Sequence, residues 1–203
     1  MMLLIRWKKL MTRMGMKENK ETFDALIRSY SEAHRRYHTL AHLESVLTTL
    51  DKYESLAEHK GELELGLWFH DAVYQPYSTT NEFNSAEWAR QFLEQSQVSS
   101  RSTDLVVRLI NATSHTKKPD VSDERLILDI DLSVLGQSED VYAEYSDGVR
   151  HEFRRVPYYL YRKKRKSLLL KFLSRARIYS TEGFFLALED KARSNIRREV
   201  RTL

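Results

Sequence analysis

Apolar residues recur along this chain at three- and four-residue steps rather than at alternate positions, the pattern of helices with one buried face. A first run covers about 19–32, with Phe23, Leu26, Ile27 and Tyr30 on one stripe. Thr39 is an N-cap candidate for a second helix carrying His42, Val46, Leu50 and Tyr53. A third, about 61–72, aligns Leu63, Leu67, His70 and Tyr74. Residues 75–80 read as a loop, and Thr79 precedes Glu82 by three, the capping-box spacing that opens a fourth helix reaching about 96. Further helices are expected over about 102–113, 122–135 (stopped by Gly136), 138–154, from Pro157 to about 177, and from a Ser180 or Thr181 cap to the C-terminus. The expected fold class is therefore all-α, with about eight to nine helices.

No repeat, low-complexity stretch or Gly/Ser-rich linker interrupts this pattern, so residues 17–203 read as a single helical domain. Residues 1–16 read either as a loose amphipathic lead-in or as the over-long start of that domain, and both readings stay open. The opening apolar run is too short for a secretory signal and precedes, rather than follows, its basic residues.

Composition narrows the chemistry. With 6 Gly and 3 Pro in 203 residues, turns are few, which favours long helices over a many-stranded sheet. The absence of cysteine excludes disulfides, thiolate metal sites and cysteine nucleophiles, and makes a reducing compartment such as a cytoplasm the natural setting. No run approaches ~18 apolar residues, so neither a membrane span nor a membrane partner is expected. The net charge of +4 is concentrated late, in Arg162–Lys166 and Arg193–Arg201. That excess suits an anionic substrate or nucleic acid, and equally a solvated helix face.

Seven histidines are present, and the informative ones sit on apolar stripes. His42 lies four before Val46, and His70 follows Leu63 and Leu67 and is joined to Asp71. Asp131 is flanked at helical steps by Ile127, Leu128, Val134 and Leu135. Three helices thus point imidazoles or carboxylates inward. An ionised carboxylate is costly to bury without a partner; a divalent cation would satisfy both donor types together. A nitrogen and oxygen set without thiolates suits Mn, Fe, Co, Ni or Mg better than structural zinc.

The segments Arg35-Arg36-Tyr37-His38-Thr39-Leu40-Ala41-His42, Phe69-His70-Asp71-Ala72-Val73-Tyr74, Asn81-Glu82-Phe83-Asn84-Ser85-Ala86, Ala112-Thr113-Ser114-His115 and Asp129-Ile130-Asp131-Leu132 occur in that order. Together they resemble the HD superfamily of metal-dependent phosphohydrolases, over about residues 19–203. One departure is Lys164-Arg165, where a Gly-Arg pair is expected.

The resemblance implies an HD-domain-like helical bundle whose metal is held by His42, His70, Asp71 and Asp131. Asp71 and His70 would take the catalytic roles. His38 and His115 are candidates for a second metal or a substrate phosphate, with a supporting hydrogen bond for His38 and simple exposure for His115 as the alternatives. Arg35 and Arg165 would neutralise phosphate oxygens. Glu82 and Ser85 either line the pocket or cap their helix. Asp129, turned about 200° from Asp131 on a helix, is not expected to be a ligand. The implied activity is hydrolysis of a small, nucleotide-like phosphate ester, with a non-catalytic metal- or nucleotide-binding module and a basic nucleic-acid-binding protein as rivals. A homodimer through the amphipathic C-terminal helices is a further expectation.

Overall fold

The computed structural model describes residues 2–203, which form ten α-helices and no strand. The all-α expectation holds. None of these helices is long and apolar enough to cross a membrane. The chain divides into two compact units, one ending at Leu128 and the other comprising Asp129–Leu203.

The first unit contains α1 (Met2–Arg13), α2 (Lys20–Tyr30), α3 (Leu40–Tyr53), α4 (Lys60–Phe69), α5 (Asn81–Gln95), α6 (Ser100–Ala112) and most of α7 (Ser122–Asp131). Its centre is α4, where Leu63, Leu65, Leu67, Trp68 and Phe69 are all fully buried. A helix that is apolar on every side must be surrounded, and α1, α3, α5 and α6 all pack on it. Gly66 makes one of these approaches close, since a Cβ there would meet Ile127 Cδ1 at 3.1 Å and Leu109 Cβ at 3.5 Å.

Within the segment left open by the sequence, Met2–Arg13 forms α1, the helix beyond the expected count. Trp7 is fully buried, edge-on to Trp68 at 5.2 Å and beside Phe23 and Phe92. The buried Glu64 of α4 receives Arg6 Nε at 2.7 Å and Arg13 at 2.8 Å, both from α1. A Schellman motif ends the helix, with Met16 N–H donating to Met11 O at 2.9 Å and Gly15 at φ 67°.

The second unit contains the end of α7, a 3-10 turn over Leu132–Gly136, α8 (Glu139–Glu152), α9 (Tyr158–Ser174) and α10 (Glu182–Thr202). The helix expected to run to 135 tightens at Leu132, because Tyr179 Oη donates to Leu132 O and Asn195 Nδ2 to Leu135 O, each at 3.0 Å. Gly136 is more than a helix stop. A Cβ on it would lie 2.6 Å from Leu188 Cβ and 2.8 Å from the Leu188 carbonyl oxygen, so α10 passes directly over it. Asp129, set aside as a ligand, has a structural role instead. Its carboxylate accepts the amides of Ser180 at 2.8 Å and Thr181 at 2.7 Å ahead of α10.

Candidate metal centre

His42 lies in the first turn of α3 and His70 one residue beyond α4. The helix expected to reach residue 72 ends at Phe69, and His70, Asp71 and Ala72 form the turn that follows, Ala72 N–H returning to Phe69 O at 2.9 Å. Both imidazoles are buried. Their Nε2 atoms are 3.0 Å apart. Asp71 Oδ2 lies 3.1 Å from His70 Nε2 and 3.4 Å from His42 Nε2.

The tautomer of His70 follows from its other nitrogen. Nδ1 is 2.7 Å from the carbonyl of Leu67, an acceptor only, so Nδ1 carries the proton and Nε2 presents a lone pair to the centre. Burial pushes the Asp71 carboxyl up, but the neighbouring His70 and His38 and a hydrogen bond from His42 hold it well below the usual carboxylate range. Two imidazole nitrogens and an anionic oxygen therefore converge. Two ligand atoms each ~2.1 Å from one cation, and at right angles about it, lie about 3 Å apart. The donor set fits a divalent ion in chemistry and in spacing.

Main-chain bracing fixes the Asp71 position. Tyr30 Oη accepts the Asp71 amide at 3.3 Å and donates to Trp68 O at 3.2 Å. Arg35, whose side chain is wholly buried, donates Nε to Glu32, its two terminal nitrogens reaching the carbonyls of His38 (3.1 Å), Asp71 (2.7 Å) and Ala72 (3.1 Å) and Ser29 Oγ (3.1 Å). All five guanidinium N–H groups are thus used within the protein. These contacts brace the turn that carries Asp71. Neither Tyr30 nor Ser29 was singled out from sequence, where they are ordinary members of an amphipathic helix.

The other candidates take varied places. His38 stacks on Tyr74 with ring centres 4.1 Å apart and meets His42 edge-on at 5.9 Å, beside the two imidazoles. Ser85 is fully buried and clips Val73, accepting its amide at 3.0 Å and donating to its carbonyl at 3.3 Å, so it fixes the loop after the centre. Glu82 sits in the first turn of α5, but the capping box with Thr79 does not form. Thr80 is the N-cap, its hydroxyl taken up by Ser78 and Asn84. Thr39 stands at the N-cap of α3 without a capping hydrogen bond from its side chain.

His115 follows α6 at φ 55°, the left-handed region that histidine enters more readily than most residues. Asp131, half-buried, is the last residue of α7. In the second unit Arg165 is buried against Glu199 (2.8 Å) and Tyr145 Oη (3.0 Å). A second grouping of histidine and carboxylates, Glu58, His59 and Asp123, has a structural account. Asp123 accepts the amides of Glu58 and His59 at 2.9 Å each, just before α4 begins.

A scan against protein-family models and searches of curated proteins and of solved structures return no match to this chain.

Proposed function

We propose that this protein is a metal-dependent phosphohydrolase of the HD type, with His42, His70, Asp71 and Asp131 holding a divalent ion. The observation that carries the reading is the convergence of His42 Nε2, His70 Nε2 and Asp71 Oδ2 within 3.0–3.4 Å, with His70 locked in the metal-binding tautomer. Asp131 enters as the further carboxylate of the sequence motif. A divalent ion bound there would lower the pKa of a coordinated water and polarise phosphoryl oxygens. Asp71, kept anionic and braced at its own backbone, is the group to orient that water and accept its proton. His38, whose ring lies 5.9 Å from that of His42, is the candidate for a second metal or for the substrate phosphate in this reading.

The test is elemental analysis of the purified protein followed by phosphate release from a panel of phosphorylated metabolites with Mn, Co, Ni or Mg. Bound metal and metal-dependent release are expected from the parent. Asp71→Asn and His70→Ala should lose both while keeping the helical signal. Parent protein without metal affinity or phosphate release would overturn the proposal. A binding module that holds metal and nucleotide without turnover is the second reading; metal-loaded protein that binds nucleotide but releases no phosphate would select it.

A further inference from the structure

The second unit carries a surface that the proposed chemistry does not use. Helix α9 contains six basic residues and no acidic one. Its buried face, with Tyr161, Arg165, Leu169 and Phe172, is turned into the unit, and Arg165 is paired there with Glu199. The opposite half forms three adjacent ridges at four-residue steps: Leu160–Lys164–Leu168, Tyr159–Lys163–Ser167–Lys171 and Lys166–Leu170–Ser174.

Large apolar side chains stand in solvent on these ridges, Tyr159 at 71 %, Leu170 at 47 %, Leu168 at 46 % and Leu160 at 38 % exposure. The four lysines among them form no ion pair among the described residues. Solvated charge accounts for the lysines but not for three leucines and a tyrosine interleaved with them.

We infer that this face of α9 docks on the surface of an anionic lipid bilayer. Lysine ammoniums on this mixed face would lie among acidic headgroups, and the leucine and tyrosine side chains between them would reach toward the acyl boundary. A second copy of the chain is a poor occupant, because pairing this face with itself would bring two sets of four lysines together. Nucleic acid would satisfy the lysines, but aliphatic leucines have no π-face on which bases stack. Such binding departs from the expectation of no membrane partner, which rested on the lack of a span-length apolar run and so does not bear on a helix lying on the surface.

Sedimentation of the full chain with vesicles tests the inference, using phosphatidylcholine alone and phosphatidylcholine with 30 mol% (about one lipid in three) phosphatidylserine. Binding is expected only to the anionic vesicles and should fall steeply with salt. Lys163→Ala and Lys164→Ala should weaken it about fivefold each. The triple variant Leu160→Ser, Leu168→Ser, Leu170→Ser keeps every charge and should weaken it about tenfold or more. These side chains are exposed, so unchanged thermal melts accompany all three variants. Absence of binding to anionic vesicles would overturn the inference. So would a triple variant that binds as tightly as the parent, or single-stranded RNA displacing the protein from vesicles at lower concentration than it would a charge-only control peptide; these point to a polyanion site instead.

Discussion

Arg35 shows what one residue does when each of its donors is assigned. Its guanidinium joins the carbonyls of His38, Asp71 and Ala72 to Ser29 and Glu32, holding the turn after α4 against the segment before α3. Lysine has the charge but offers three donors from a single atom. Arg35→Lys should therefore leave carbonyls unpaired and cost about 2–4 kcal/mol of unfolding free energy in a denaturant titration. At Gln97 the chain adopts φ 57° within a Schellman motif closing α5, with Val98 N–H on Leu93 O at 3.0 Å. Gln97→Gly should raise stability by about 0.5–1 kcal/mol in the same titration, because glycine reaches that conformation without a Cβ clash. His42, His70 and Asp71 were legible from sequence because polar donors interrupted apolar stripes. Arg35 was visible only as a charge, since a sequence records that a guanidinium is present but not which carbonyls surround it.

Among the elements, α1 and α4 were read with very different success. The all-round apolar run Leu63–Phe69 forces a central helix wherever it falls. Residues 2–13 mix basic and apolar positions, and their burial depends on Glu64 and Trp68, more than fifty positions away in the chain. Trp7→Ala should cost about 3–5 kcal/mol, measured by thermal or denaturant unfolding, because it opens a cavity between two other aromatic rings and Trp68. In the second unit, burial pushes the Glu199 carboxyl up, but Arg165 and the Tyr142 hydroxyl bring it below its ordinary value. A depressed carboxyl stabilises the fold above its unfolded pKa of about 4.3, and the contribution is lost as pH falls through the lower folded value. Glu199→Gln should destabilise at neutral pH by about 3 kcal/mol and flatten the acid limb of a stability-against-pH profile.

For the molecule as a whole, the sequence suggested one domain because no linker is present. The two compact units meet in sequence between Leu128 and Asp129, inside α7, where an uninterrupted helix offers no change of composition to mark the division. The helical class followed directly from periodicity and scarce glycine, whereas the limits of α4 and α9 depended on side chains from elsewhere bonding carbonyls at or just beyond their ends, and that of α7 on the bonds made to the turn after it. Arg193 does this for α9, reaching Leu173, Arg175 and Ala176. Added divalent ion should raise the melting temperature of the parent by the linkage for native-state binding, about 2.7 kcal/mol at a hundredfold excess over Kd, and leave His70→Ala unmoved. The bracket that Arg35 and Tyr30 build around Asp71 consists only of groups from the chain itself. Its shape is settled when the protein folds, so adding a divalent ion and then removing it with a chelator should leave amide exchange in the 69–73 turn nearly the same, the host holding still whether or not it carries cargo.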